Sequence, residues 1–306
     1  MGLAFNNYDD TIADPVAFKQ LAVKDVLFLN YRCPQVDKHI QLFSHYNEIM
    51  FTLSGSRIMH HSGKSWTLTK HSCLLTRKTA YLQELPHLVG WEVLAFYFPD
   101  DFFRKVINEY HEHLPLKDLP EPPRDMLIEI NVNETTEAFF YSILPYFKQA
   151  THPAEALLEL KFKELLFNLF LDPANAGVLS YANSLTHIDK VPVWQIMEAN
   201  YMFNLTIAQF ARMAHRSVST FKKEFSEYYK VSPGKWLTQK RLEHAKLLLE
   251  TSQKSVSEVA FNSGFENLSH FSRVFKQKYG KSPVQYQTRQ APPRSINIPP
   301  ADKQKN

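Results

Sequence analysis

The sequence predicts an α+β chain of two domains. A small antiparallel β-barrel or double-sheet roll with following helices comes first, then an all-α double helix-turn-helix. Three observations carry this. A pattern is written twice between Thr206 and Tyr286. Short β-rich segments with close-set turns fill Asp25 to Phe98. Basic charge is gathered onto the repeated stretch: residues 193–290 hold 15 Lys/Arg against 7 Asp/Glu, while residues 1–192 hold 17 against 23.

A length of 306 residues suits two domains, and an apolar fraction of 44% is ordinary for a globular chain. No run approaches the ~18 apolar residues of a membrane span. No basic segment followed by an apolar one opens the chain, so secretion is not expected. Cys33 and Cys73 stand alone, which suits a reducing compartment. A cytoplasmic protein without membrane contact is the expectation. Charge segregated in this way is the footprint of a polyanion-binding domain beside one that is not.

Residues 1–25 have weak periodicity and read as a loosely attached arm. Strands are expected at Val26–Tyr31, Asn47–Leu53, Arg57–His61, Trp66–Leu68, Ser72–Thr76 and Trp91–Phe98. Their inner positions are crowded with Phe, Leu, Met and Trp, leaving little room for a polar sugar. Asp100–Tyr110 reads as a helix that Asp100 or Asp101 can cap. A proline-rich connector, Pro115–Pro123, follows. Glu137–Gln149 is helical but kinked or cut short at Pro145. Thr151–Phe170 is a helix with Thr151 as its cap, and its apolar residues exceed a stripe of ~100°. That surplus suggests one face on the sheets and another on a second copy, a homodimer through 151–170. The sensing and dimerisation domain is therefore placed at 1–171. The aperiodic 172–192 reads as a linker, and the polar, proline-rich 291–306 as a disordered tail.

The DNA-binding half is placed at 193–290. Val193–Met202 opens it. Thr206 caps a helix in which Ile207, Phe210, Ala211 and Ala214 face inward. His215-Arg216-Ser217 turns into a third helix with Phe221 and Phe225 as its core pair. Ser219, Lys222 and Lys223 then point outward. Pro233–Thr251 is long enough, at roughly 25–30 Å, to hold two such readers about one DNA turn apart. In the second copy Ser255 caps Val256–Ser263, Gly264 ends it, and Asn267 caps the next helix. Phe271 and Phe275 pack inward. Leu268, Ser269, Ser272 and Arg273 face DNA, and Lys276 is placed for phosphate. Phe221, Phe225 and Tyr229 recur at an offset of fifty as Phe271, Phe275 and Tyr279. Upstream of the turn the offset is forty-nine, so the copies differ by one residue, inside a turn. Gly280 ends the second reader; Lys230 holds the matching place in the first.

These residues carry a resemblance. Arg241–Leu249, Val256–Ala260, Gly264-Phe265, Ser269–Lys276 and Gly280–Pro283 closely resemble the AraC/XylS signature, over about 193–290. The resemblance implies a seven-helix double helix-turn-helix reading two consecutive major-groove segments of double-stranded DNA. It also implies activation by recruiting RNA polymerase. The N-terminal half is similar, by architecture alone, to the cupin-like sensing domains common in that family. Lys230 departs from the usual glycine and puts the placement of the first recognition helix in question.

Catalytic readings find little support. His60-His61, His39, His45 and His111-Glu112-His113 do not form a metal triad with a matching Glu, so no metal site is expected. Neither cysteine has a partner histidine, and 8 glycines build no phosphate loop. No cofactor and no catalytic residue is assigned. The leading expectation is a DNA-binding transcription regulator whose N-terminal domain senses an unknown effector, a small molecule or a protein. A cupin-type enzyme fused to an autoregulatory DNA-binding half is the alternative.

Overall fold

A computed structural model describes residues 4–33, 37–86, 90–149, 151–187 and 191–288; the expected tail at 291–306 lies outside them. In chain order the elements begin with β1 (Phe5–Asn6), α1 (Asn7–Ala13), β2 (Lys19–Val23), β3 (Val26–Cys33), β4 (His39–Phe43) and β5 (Asn47–Ser54). β6 (Arg57–His61), β7 (Lys64–Leu68), β8 (Cys73–Thr76), β9 (Ala80–Glu84) and β10 (Trp91–Phe98) follow. Then come α2 (Asp100–Tyr110), β11 (Leu127–Ile130), α3 (Glu134–Ile143), α4 (Glu155–Leu171) and α5 (Ala176–Ser184). The rest is helical: α6 (Val193–Asn200), α7 (Ile207–Met213), α8 (Val218–Tyr229), α9 (Pro233–Thr251), α10 (Val256–Asn262), α11 (Leu268–Tyr279) and α12 (Pro283–Thr288).

The strands form two sheets, ordered β1-β4-β9-β6-β7 and β11-β8-β5-β10-β3-β2. All pairings are antiparallel except β1 with β4. Of the two arrangements the sequence allowed, this is the double-sheet roll and not a closed barrel. Strand β10 is central. Its period of two sends Leu94, Phe96 and Phe98 into a core shared with Phe103, Phe140, Phe162 and Leu165 of the helices. Trp91, Val93, Ala95 and Tyr97 face the other way, with Met59, Trp66 and Leu68 of the second sheet. Buried on both faces, β10 reads as an apolar run from Val93 to Phe98.

Several expectations are corrected. The N-terminal arm is not loose. β2 pairs with β3, β1 pairs with β4, and Thr11 of α1 is fully buried. The linker read at 172–192 contains α5, whose Val178, Leu179, Tyr181 and Ala182 are core residues. Its small residues hide the apolar face from a periodicity test. Thr151 does not cap α4, which begins at Glu155 behind Ala154, because Pro153 biases the residue before it away from helix. Neither Asp100 nor Asp101 caps α2; Pro99 stands there without a side-chain cap. Asp100 instead forms a buried ion pair with Lys78 and accepts from Asn47 Nδ2 at 2.8 Å. Tyr181 Oη donates to Asn47 Oδ1 at 3.0 Å, tying α5 into the same network.

The chain divides into two compact units between Leu237 and Thr238, not at 193. The physical reason is a shared core. Val193, Ile196, Met197, Phe203, Phe210 and Phe225 cluster with Ala4, Phe43 and Ala80 of the sheet region. Buried Asn200 accepts from Ala80 N at 2.7 Å and from Thr79 Oγ1 at 2.8 Å, and donates to Ile196 O at 2.9 Å.

Candidate nucleic-acid interface

Each recognition helix is fixed by the same local devices. Thr206 and Gln209 form a capping box on α7; Ser255 and Glu258 form one on α10. Ser217 Oγ then accepts from Thr220 N at 3.1 Å, and Asn267 Oδ1 accepts from His270 N at 2.8 Å. Helices α8 and α11 both run for 12 residues. Phe221, Phe225, Phe271 and Phe275 have no exposed surface. The rings of Phe225 and Trp236 meet edge-on at 5.5 Å; Phe275 and Tyr286, fifty residues on, do the same at 5.5 Å. These phenylalanines are core, as their spacing predicts.

The outward faces follow from that inward pair. On α8, Ser219, Lys222 and Lys223 are exposed. On α11, Leu268, Ser269, Arg273 and Lys276 are exposed and Ser272 is half-buried. Among the described residues none of the lysines in these two sets is held in an ion pair. Arg273 Nη2 lies 3.3 Å from His270 Nδ1. Thr220 and His270 share the exposed faces and were not singled out from the sequence. Their equivalence at the offset of fifty was the available signal. On each helix the assigned residues lie together.

Lys230 ends α8 in the left-handed conformation, φ 58°, with its N–H on Ser226 O at 2.9 Å. Gly280 ends α11 with φ 76° and the equivalent bond to Lys276 O at 2.8 Å. The first copy therefore keeps the geometry and accepts the strain. His215, matching Gly264, does likewise: φ is 50° at His215 and 83° at Gly264. Glycine at 230 should raise stability by about 1 kcal/mol, read as a higher denaturation midpoint. An unchanged or lower midpoint would show that the lysine side chain compensates.

The first helix-turn-helix also faces the sheets. Arg212 Nη2 donates to Asp9 Oδ1 of α1 at 2.7 Å. His215 lies 6.1 Å, ring to ring, from His45. Burial, then the nearby charge of Arg212, pushes His45 down to about 3. Burial also lowers His215. Both imidazoles are thus neutral at pH 7, so they add no repulsion to this contact. His61 Nε2 lies 3.2 Å from Ala199 O, and its ring stacks on Phe203 at 5.6 Å.

Between the sheets is a cavity of about 330 Å³, lined by Leu29, Met50, Trp91, Val93 and Ala95 among others, with buried Glu48 in its wall. The crowding expected from the sequence is relieved because β10 and β3 send their phenylalanines to the helices. On the cavity side these two strands present Leu29, Val93 and Ala95 between Tyr31, Trp91 and Tyr97.

The described geometry can be set beside known proteins. A family model for the ExsA N-terminal regulatory domain matches residues 47–181, and one for a helix-turn-helix domain matches residues 210–289. The virulence regulon transcriptional activator VirF of Yersinia enterocolitica is 22% identical over 268 residues, 87% of this chain and 96% of that one. The regulator ExsA of Pseudomonas aeruginosa is 29% identical over 126 residues, 40% of this chain and 45% of that one. Among solved structures, an apo form of ToxT from Vibrio cholerae is 18% identical with a TM-score of 0.43, covering 88% of this chain and 98% of that one. The chain thus carries an AraC-type helix-turn-helix domain at its C-terminal end with an ExsA-type regulatory domain before it, and the relatives it resembles are transcription regulators.

Proposed function

We propose that this regulator activates transcription from DNA that it reads with α8 and α11. The observation that carries the reading is the pair of 12-residue helices with matched caps, matched buried phenylalanines and polar or basic outward faces. Ser219, Lys222 and Lys223 are assigned to one major-groove segment, and Leu268, Ser269, Ser272 and Arg273 to another, with Lys276 on phosphate. The functional division follows the helix-turn-helix pair, 193–290, with the sensing part before it. Activation is proposed because VirF of Yersinia enterocolitica is named an activator and aligns with most of this chain. RNA polymerase is then a partner, and the cytoplasm the compartment; no helix among the described residues is long and apolar enough to cross a membrane. The sensing part acts by binding an effector and not by catalysis.

Helix α4 supports a homodimer. Leu158, Phe162, Leu165, Leu166 and Leu169 face the core, whereas Leu157, Leu160 and Leu171 are left exposed. Three leucines on the outer side of one helix are the kind of patch that a second copy covers.

One titration tests both parts. On a duplex selected from a random library, affinity should fall about a thousandfold between 50 and 200 mM salt, for roughly six phosphate contacts. Two chains should bind each site. Salt-insensitive binding would refute the basic-face assignment, and one chain per site would refute the dimer.

A further inference from the structure

The cavity between the sheets has a composition that selects its occupant. Its walls are mostly apolar, yet among the described residues the charged groups that line it are Glu48, Asp10 and Asp37, with no Lys, Arg or His. Glu48 is 2% exposed. Its carboxylate accepts from Asn7 Nδ2 at 3.4 Å and from Tyr81 Oη at 3.4 Å, both long bonds. Among the described residues no basic side chain pairs with it. Burial pushes Glu48 up to about 7, against the hydrogen bonds of Tyr97, Tyr81 and Asn7. A buried carboxylate held by neutral hydrogen bonds, two of them long, gains most from a cation. A carboxylate ligand would meet like charge and be rejected.

Helix α1 connects this cavity to the DNA-binding part. Asn7 and Asp10 line the cavity. Asp9, between them, pairs with Arg212 of α7. Just before the helix, Asn6 Nδ2 lies 3.4 Å from His45 Nδ1. Ala4 donates to Asn204 O at 3.4 Å and accepts from Gln209 Nε2 at 3.3 Å. An occupant that takes Glu48 from Asn7 must move α1, and α1 holds Asp9.

We propose that the cavity is an effector site for an apolar cation, a hydrocarbon amine whose ammonium pairs with Glu48, and that α1 carries its occupancy to the first helix-turn-helix. This rests on the reading of the chain as an effector-responsive DNA-binding regulator. The Asp9–Arg212 pair is partly exposed, so the coupling it transmits is modest, at the lower end of the usual allosteric range.

The test uses the intact chain and three probes with one tail: decylamine, 1-decanol and decanoate, titrated calorimetrically at about pH 8, above the Glu48 transition. Decylamine should bind tightest and decanoate at least about tenfold weaker, and Glu48→Gln should erase the preference of amine over alcohol. Decanoate binding as tightly as the amine, or a preference that survives in Glu48→Gln, would overturn the site. In the second arm, decylamine should change duplex affinity about fivefold in the parent and less than about twofold in Asp9→Asn. Equal changes in both chains would overturn the α1 route, and no change in either would overturn the effector role. If the parent binds no duplex at all, the regulator reading fails by itself, while the head-group order still decides the site.

Discussion

Alanine in place of Phe225 is expected to destabilise the protein by about 3–5 kcal/mol, the range for deleting a buried phenyl ring. Phe225 has no exposed surface. Its ring lies 4.8 Å from that of Tyr229 and 5.5 Å from that of Trp236, between α8 and the start of α9. The backbone around it is held by caps at Ser217 and Lys230, so collapse into the cavity is restricted. Chemical denaturation of the intact chain reads the effect directly. An unchanged midpoint would mean that Phe225 is not core, and the outward assignment of Ser219, Lys222 and Lys223 would fall with it, since both follow from one helical phase.

Lys78→Ala should cost a similar amount, about 3–5 kcal/mol, for a different reason. Lys78 and Asp100 are each 7% exposed along their side chains. Burial alone would raise the Asp100 carboxyl, but the adjacent ammonium of Lys78 outweighs it and holds the group below its ordinary range. Stability from this depressed carboxylate is present at neutral pH and is lost as pH falls through and below the ordinary carboxylate range. Without Lys78 the carboxylate keeps Asn47 and only the weaker influence of Arg104, and burial then raises it. The deficit of the variant should therefore be greatest near pH 7 and shrink as the medium is acidified toward pH 4. A deficit that does not change with pH would mean that packing, not charge, is what Lys78 supplies.

The two helix-turn-helices were legible because every device that builds them is local. Thr206, Ser217, Ser255 and Asn267 cap the helices that follow them, and phenylalanines four apart fix the buried face. The sheet strands with strong β character were legible for the same reason. The rest depends on partners far along the chain. β2 is too short to show a period of its own and α1 is mostly polar, and their order comes from pairing with β3 and from contacts to Glu48 and Arg212. α5 is built from AGVLSYANS, whose face is defined only once Tyr181 meets Asn47, 134 residues away in sequence. The capping role of Thr151 failed to a competing local rule, the proline two residues later. At the site, residues that face outward followed from periodicity. Asn200, His61 and the Asp9–Arg212 pair did not, because nothing local marks a hydrogen bond to a residue more than 100 positions distant. Lys230 stood out in the sequence as a departure from glycine, whereas its strained companion at His215 was hidden by the one-residue difference between the copies.

The central claim is that α8 and α11 present DNA-reading faces, and Arg273 tests it most directly. Duplex affinity should be measured for the parent, Arg273→Ala and Lys222→Ala, on a selected site and on each of its single-base substitutions. The parent should penalise the wrong base at the Arg273 contact by about 1–3 kcal/mol. Arg273→Ala should lose that penalty at that position alone, while Lys222→Ala weakens binding nearly equally on every sequence. A uniform loss from Arg273→Ala, with discrimination intact at every position, would contradict the account.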